Sequence, residues 1–319
     1  MRLRTRLPLA ACLFFLCAGF RTHGQFLRAY AEAQPAPSWI GSMLTRYGMD
    51  ESSGTRDNAG TCDAACDLTV SGSGVGNSTS QFIEGMASGS FVNTADSWLI
   101  CTDANCGSTY NQSGSFTFMS WFRPTNAGVR NVGGKYEATN GFRMLTNTTK
   151  LRCGIQTSGA EKLQNSTSNY ITAGWNFGAC IRTCTGTDCA TTNTIATYLN
   201  GELSSTTTLT EACCSNTNNF NLGTANEATA FDWHGEIDTT AFTNKALTAS
   251  QLCHACSCLI SGAKCACDSR DPTRYRRCAS DVDCWTGAVF ARCESGRCQG
   301  FNTAFCGSCT LPDCNLAAP

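Results

Sequence analysis

The chain has 319 residues, a formal net charge of −1 and only 15% charged residues. This balance gives no electrostatic reason to bind nucleic acid or an acidic lipid surface, so partners should be recognised by local contacts. Gly, Ser, Thr and Asn are abundant, apolar runs are short, and no segment before residue 245 has sustained helical periodicity. Such a composition favours many short strands joined by turns.

The N-terminal segment has the pattern of an export signal. Three arginines precede an apolar run from Leu7 to Phe20, which is too short to cross a bilayer. Cleavage fits after Gly24 or after Ala31, so residues 1–31 are predicted to be the signal peptide and a short leader. No later stretch is long and apolar enough for a transmembrane helix. We therefore expect a secreted, extracellular protein without membrane insertion.

Twenty-two of the 24 cysteines follow this signal and fall into two even groups, ten from Cys62 to Cys214 and twelve from Cys253 to Cys314. Even counts are what intramolecular disulfides require, and an exported chain matures in an oxidising compartment. The cysteines singled out as disulfide-bonded are Cys62, Cys66, Cys101, Cys106, Cys153, Cys180, Cys184, Cys189, Cys213, Cys214, Cys278, Cys284, Cys293 and Cys298. Their connectivity does not follow from the sequence.

Strand patterns recur along the chain, with β-branched or aromatic residues between Gly, Asn or Ser turns. The candidates are Met43–Met49, Gln81–Val92, Phe116–Phe122, Gly141–Leu145, Leu151–Ile155, Trp175–Ile181, Ile195–Leu199, Asn219–Leu222 and Trp233–Phe242. Phe116–Phe122 is largely apolar on both faces, as in the middle of a two-sheet sandwich. Asn200-Gly201 predicts a hairpin turn that Glu202-Leu203 continues. Thr248 to Gln251 fits a capping box that starts one short helix, running to about Cys253.

The order of these elements resembles the laminin G-like, or concanavalin A-like, jelly-roll family over residues 42–252. The resemblance is carried by Tyr47 to Thr55 with Asp57-Asn58-Ala59-Gly60, Gly85 to Phe91, Ser115 to Phe122, Gly174-Trp175, Thr197 to Gly201, Gly235 to Asp238, and Asn244 to Leu252. It implies an all-β fold, a two-sheet antiparallel jelly-roll sandwich, with a cysteine-rich disulfide module at 253–319. Cysteine-bearing insertions at Thr61–Cys66, Cys101–Cys106 and Thr183–Cys189 depart from the family pattern.

The resemblance also implies a calcium site. Asp57, Asn58 and the backbone of Gly60 lie in a loop that in many relatives approaches the closing aspartate, here Asp238. Carboxylate and carbonyl oxygens suit Ca²⁺, which is plentiful outside cells. The alternative is that these side chains hold turns by hydrogen bonds.

Sugar binding in such folds uses an aromatic platform beside amide and carboxylate groups. The candidate ligand-binding residues are Trp98, Tyr110, Tyr136 and Trp233. The alternative for Trp98 and Trp233 is a place in the core, which is common for tryptophan in a strand.

A catalytic site is incomplete in this sequence. Glu236-Ile237-Asp238 resembles the catalytic motif of laminarinase-type glycoside hydrolases, but no acid/base carboxylate follows in Thr239 to Phe242. The expected function is non-catalytic recognition or adhesion, with an extracellular glycan or glycoprotein as partner. One alternative is a self-associating structural component of a matrix, sheath or filament, and a second is a glycoside hydrolase. Asn77, Asn111, Asn147 and Asn165 lie in N-glycosylation sequons.

Overall fold

The computed structural model describes residues 42–255, apart from 84–85, 93–96, 138, 158–159, 186–188, 190–191, 211–212, 226–230, 250 and 253–254, and it also describes 291–294 and 297–300. The expected signal peptide and leader lie outside the described residues. So does most of the expected 253–319 module, including Cys278 and Cys284. None of the described helices is long and apolar enough to cross a membrane.

Two antiparallel sheets make up the fold. The strands are, in chain order, β1 (Thr45–Tyr47), β2 (Thr69–Ser71), β3 (Val75–Ser78), β4 (Ser88–Phe91), β5 (Trp98–Cys101), β6 (Phe116–Pro124), β7 (Arg130–Tyr136), β8 (Gly141–Asn147), β9 (Lys150–Gln156), β10 (Glu161–Asn169), β11 (Asn176–Thr185), β12 (Thr192–Leu199), β13 (Glu202–Leu209), β14 (Phe220–Leu222) and β15 (Gly235–Thr243), with a separate hairpin of β16 (Ala291–Glu294) and β17 (Arg297–Gly300). The eight-stranded sheet has the order β13-β12-β11-β6-β15-β4-β3, with β1 also paired to β15. The seven-stranded sheet has the order β10-β9-β8-β7-β14-β5-β2. The all-β sandwich predicted from the sequence is confirmed.

The apolar core lies between the two sheets. Phe116, Phe118 and Phe122 of β6 project into it and meet Phe142 and Met144 of β8. Ring contacts join the layers, for example Phe116 against Phe142 at 4.9 Å between centroids. Because side chains alternate along a strand, the other side of β6 must be covered separately.

A second apolar cluster covers that other side of the eight-stranded sheet. Met119 and Trp121 of β6 pack with Leu247, Leu252 and Ala255, which belong to the segment after β15. This confirms that both faces of the Phe116–Phe122 strand are buried. The eight-stranded sheet is therefore covered on its two sides, at least around β6.

Two local predictions are confirmed in detail. Asn200 and Gly201 both have positive φ, 54° and 84°, and join β12 to β13, as a type I′ hairpin turn requires. At the predicted capping box, the backbone N–H of Thr248 donates to Gln251 Oε1 at 2.9 Å. The backbone N–H of Gln251 donates to Thr248 Oγ1 at 3.2 Å. These reciprocal bonds are the capping box.

Two helical segments of the described chain were not predicted, a short 3-10 helix at Asp63–Cys66 and an α-helix, α1 (Asp103–Tyr110). Helix α1 follows β5, begins within the cysteine-bearing insertion Cys101–Cys106 and continues beyond its end. It buries Tyr110 in the core, and the ammonium of Lys135 contacts the Asp103 carboxylate at 2.5 Å. The absence of sustained helical periodicity before residue 245 does not exclude this helix, because a helix of eight residues with only a few buried side chains leaves little periodic signal.

All ten cysteines of the first group are paired among themselves, as Cys62–Cys66, Cys101–Cys106, Cys153–Cys180, Cys184–Cys189 and Cys213–Cys214. Four of the five close loops of five residues or fewer. The exception, Cys153–Cys180, joins β9 of one sheet to β11 of the other through the core. It is therefore a covalent bond between the layers of the sandwich.

Candidate functional site

The outer side of the seven-stranded sheet carries polar side chains. Phe142 and Met144 of β8 face the core, so Arg143 between them and Leu145 after them face outward. The same alternation turns Arg152 and Gln156 of β9 outward. This side of the sandwich is the natural place to look for a site, because the outer side of the other sheet is occupied by its own apolar cluster.

Strand register arranges these residues in three rows across the sheet. The first row is Tyr136, Gly141, Gln156 and Glu161, the second is Ile100, Asn221, Gly134, Arg143, Gly154 and Leu163, and the third is Asn131, Leu145, Arg152 and Asn165. We call this surface the polar face. Its members come from β5, β14, β7, β8, β9 and β10, so strand pairing alone brings them together.

An ion pair and an aromatic ring form the centre of the polar face. Arg143 donates two hydrogen bonds to Glu161, from Nε to Oε1 at 2.6 Å and from an amino nitrogen to Oε2 at 2.7 Å. Its guanidinium carbon lies 4.2 Å from the centre of the Tyr136 ring, and the Tyr136 hydroxyl donates to Gln156 Oε1 at 3.1 Å. A two-pronged charged bond fixes both side chains more firmly than a single contact would. Burial raises the pKa of Tyr136, so its hydroxyl stays a donor at neutral pH.

A glycine allows this arrangement. Gly154 lies beneath the ion pair, and a Cβ there would be 2.7 Å from Glu161 Oε1 and 3.2 Å from Arg143 Cγ. Any larger residue would push the carboxylate away from the guanidinium.

The second guanidinium of the polar face has an amide for a partner. Arg152 Nε donates to Asn165 Oδ1 at 2.6 Å, and Asn165 is exposed on the edge strand β10. Burial lowers the pKa of Arg152, with Glu161 acting in the opposite direction, and the group keeps its charge at neutral pH. The face thus combines two guanidinium groups, one carboxylate, amides and a phenol.

Two further amides on the polar face are completely buried and incompletely bonded. Asn131 has neither its Oδ1 nor its Nδ2 paired within the described part of the chain, and Asn221 Oδ1 is likewise unpaired there. A buried amide without a partner costs about 1–3 kcal/mol, so a polar partner from outside the described residues would be favoured.

The four aromatic residues predicted for ligand binding have different positions. Tyr110 is buried, stacks on Phe220 at 3.8 Å and donates to Thr45 Oγ1 at 3.0 Å. Trp233 is also buried and donates to the carbonyl oxygen of Glu236. Neither ring can stack on a sugar, and both assignments are corrected to the core.

Trp98 and Tyr136 lie elsewhere. Leu99 and Cys101 of β5 face the core, so Trp98 faces the side of the polar face, and its indole N–H has no hydrogen-bond partner among the described residues. Its exposed fraction of 9% leaves little of the side chain accessible. Tyr136, partly exposed, is therefore the one predicted aromatic residue that stands in the centre of the polar face.

The predicted calcium ligands take part in backbone hydrogen bonds. Asn58 Oδ1 accepts from the N–H groups of Arg46 and Gly60, both at 2.9 Å. Asp238 is fully buried, and its two carboxylate oxygens accept from the N–H groups of Ile83 and Thr239, both at 2.7 Å. No group of three or more His, Cys, Asp or Glu side chains within the described ranges is arranged for a metal. These contacts favour the turn-holding role, and calcium binding stays a prediction.

The carboxylates of the Glu236-Ile237-Asp238 motif are also engaged. Glu236 pairs with an amino nitrogen of Arg123 at 2.8 Å, with both side chains largely buried. Asp238 begins a β-bulge in which Thr239 has a φ of 38°, a strained value for a β-branched residue. The bonds that Asp238 makes to the N–H and hydroxyl of Thr239 stabilise this bulge.

The sequence of residues 93–253, slightly more than half of the chain, matches the laminin G family model described as the concanavalin A-like lectin/glucanases superfamily. The chain belongs to this superfamily. The laminin G-like match begins after β4, yet β1, β3 and β4 lie in the same sheet as the matched strands. The lectin-like sandwich therefore extends toward the N-terminus beyond the matched residues. No curated protein matches the sequence.

Solved structures with a similar fold are distant in sequence. The binding domain of Paraclostridial Mosquitocidal Protein 1 gives a TM-score of 0.52 at 10% identity, covering 68% of this chain and 52% of that one. Domain 4 of AbnA, a GH43 extracellular arabinanase from Geobacillus stearothermophilus in complex with arabinotriose, gives 0.49 at 15% identity, covering 66% and 96%. The binding domain of Botulinum Neurotoxin DC in complex with SialylT gives 0.49 at 14% identity, covering 70% and 53%. The chain spans about half the length of the two toxin domains, and the likeness concerns the fold.

Proposed function

We propose that this protein is a secreted, non-catalytic recognition protein that binds an extracellular glycan or glycoprotein through the polar face. The observation that carries the proposal is the set of fixed donors and acceptors around Tyr136, formed by the side chains of Arg143, Glu161 and Gln156. Sugar hydroxyls both donate and accept, so they suit amides, carboxylates and guanidinium groups held in place beside an aromatic ring. Membership of a lectin-containing superfamily agrees with this reading.

The non-catalytic part of the proposal is supported by the Glu236-Ile237-Asp238 motif. Retaining hydrolysis needs a free nucleophile and an acid about 5 Å apart. Here Glu236 is neutralised by Arg123, and Asp238 is buried with its oxygens on backbone amides. A hydrolase would have to break these contacts before it could use either carboxylate.

Assembly into a sheath or filament is the second candidate, and it would use free sheet edges. The edge strands β10 and β13 instead face each other, and Ser205 Oγ donates to the carbonyl oxygen of Asn165. At the opposite edge, an amino nitrogen of Arg56 donates to the carbonyl oxygen of Gly76 in β3 at 3.1 Å. Side chains that occupy backbone acceptors at the edges favour a binding module over an edge-to-edge assembly.

Secretion is supported by the disulfide bonds rather than by the fold. Five disulfides among the described residues would not persist in a reducing cytosol. The export signal pattern at the N-terminus agrees with this.

A glycan array probed with the full, oxidised protein tests the proposal. Glu161→Gln removes the carboxylate partner of Arg143 at nearly constant shape, and we expect binding to weaken about tenfold, or about 1.4 kcal/mol. Glu202→Gln on β13 of the other sheet is the matched control and should bind like the wild type. Binding that survives Glu161→Gln and Tyr136→Ala would place the site elsewhere, and an array without any bound glycan would contradict the function.

A further inference from the structure

We propose that Asn165 is an N-glycosylation site and that its glycan covers the Arg152 end of the polar face. Asn165-Ser166-Thr167 is one of four sequons in the chain. In the modification, a bond forms between Asn165 Nδ2 and C1 of the donor sugar as the bond from C1 to the pyrophosphate oxygen of a lipid-pyrophosphate donor breaks. The lipid pyrophosphate leaves, and Nδ2 gives up one proton to solvent. The secretory machinery of a eukaryotic cell supplies that donor. The modification itself does not depend on the proposed function, but its effect on glycan recognition does.

The folded structure distinguishes Asn165 from the other three sequon asparagines. Asn77, Asn111 and Asn147 are each half-buried, whereas Asn165 is exposed. Asn77 Nδ2, the atom that would carry the sugar, donates to the carbonyl oxygen of Glu51 at 2.9 Å. A bulky glycan is tolerated best where the side chain already lies in solvent, so Asn165 is the sequon that the fold accommodates most easily.

The position of Asn165 makes the modification consequential. Its Oδ1 accepts from Arg152 Nε at 2.6 Å, and because this bond engages only the oxygen, Nδ2 can carry a sugar beside the guanidinium. The first sugar is attached next to Arg152, in the third row of the polar face and beside the exposed Leu163. A glycan at this point restricts access from the β10 edge, so glycosylated and unglycosylated protein should differ in recognition.

The test uses the full chain secreted from eukaryotic cells, as the wild type and as Thr167→Ala. Thr167→Ala destroys the sequon but keeps Asn165 and its bond to Arg152, and it also keeps the backbone oxygen of Thr167 that Lys150 contacts. Thr79→Ala, which removes the Asn77 sequon, is the matched control. Peptide mass spectrometry measures occupancy of Asn165. Modification of Arg152 by phenylglyoxal measures access without requiring any ligand, with Arg123 as an internal reference.

We expect Asn165 to carry a glycan in the wild type and in Thr79→Ala. We also expect Arg152 to react severalfold faster in Thr167→Ala, while Arg123 is unchanged. An unmodified Asn165 overturns the proposal, and so does an occupied Asn165 with equal Arg152 reactivity. On the glycan array, Thr167→Ala should bind more strongly than the wild type. If no form binds a glycan, the proposed function fails, while occupancy and Arg152 reactivity still decide this inference.

Discussion

Removing the disulfide between the two sheets should destabilise the sandwich more than removing a local one. Cys153–Cys180 closes a loop with a sequence separation of 27, whereas Cys184–Cys189 closes one of 5. In the chain-entropy account, the loss of the first costs about 3.5 kcal/mol and the loss of the second about 2 kcal/mol. The double variant Cys153→Ala with Cys180→Ala also leaves a small void in the core, which adds to its cost.

Denaturation in urea, followed by tryptophan fluorescence, measures both variants on the same footing, because Trp121 and Trp233 are buried in the sandwich. The free energy of unfolding of the Cys153/Cys180 variant in urea should fall by about 3.5 kcal/mol, which in a thermal melt corresponds to a melting temperature lower by roughly 7–14 °C. The Cys184/Cys189 variant is the control, and its loss of stability should be about 1.5 kcal/mol smaller. Equal losses would refute the view that Cys153–Cys180 is the main covalent bond between the layers. Because β9 also carries Arg152 and Gln156, weaker glycan binding should accompany the first variant.

Three further predictions concern Asp238, Tyr47 and Glu236. If Asp57 and Asp238 share a Ca²⁺, calcium at 100 times its dissociation constant raises the free energy of unfolding by roughly 2.7 kcal/mol, and Asp238→Asn abolishes this gain. Equal melting temperatures of the wild type in calcium and in chelator would show that both residues only hold turns. Burial raises the pKa of Tyr47, so its contribution to stability is complete below about pH 10 and declines above it. Tyr47→Phe should therefore make the alkaline loss of unfolding free energy shallower by about 1.4 kcal/mol per pH unit, and parallel curves would contradict this. Purified protein should release no product from β-glucans above a buffer control, and activity abolished by Glu236→Gln would show a hydrolase.

Most of the interior of the fold could be predicted from the sequence because long buried strands are marked by their apolar residues, whereas the short β5 and the glycine-containing β7 were not recognised. Each of the nine predicted strand segments overlaps an observed strand. Six strands of the two sheets were missed or only begun: the edge strands β2, β3, β10 and β13, and the interior strands β5 and β7. Among the edge strands, β10 shows why. Its side chains are mostly exposed or half-buried, so the segment has the composition of a loop. Backbone pairing, which one sequence does not display, makes it a strand.

The aromatic residues show a second reason why the sequence does not fully predict the candidate site. Tyr110 and Trp233 have polar atoms, and the sequence therefore allowed them at a binding surface. In the structure those atoms find partners inside the protein, on Thr45 and on the Glu236 carbonyl. Such partners decide whether a tyrosine or tryptophan belongs to the core or to a binding surface. They lie 65 residues away along the chain for Tyr110 and 3 residues away for Trp233.

The polar face could not be predicted because no local motif encodes it. Arg143 and Glu161 are 18 residues apart in the sequence. Asn221 lies in the row of Arg143 only because β14 pairs with β7. A change of register by one residue would turn every one of these side chains into the core. The apolar residues of β8 and β9 fix that register, so the core determines which residues form the surface. Substitutions on the polar face can therefore change what the protein binds without altering the sandwich, which explains how one superfamily hosts lectins and glucanases on one fold.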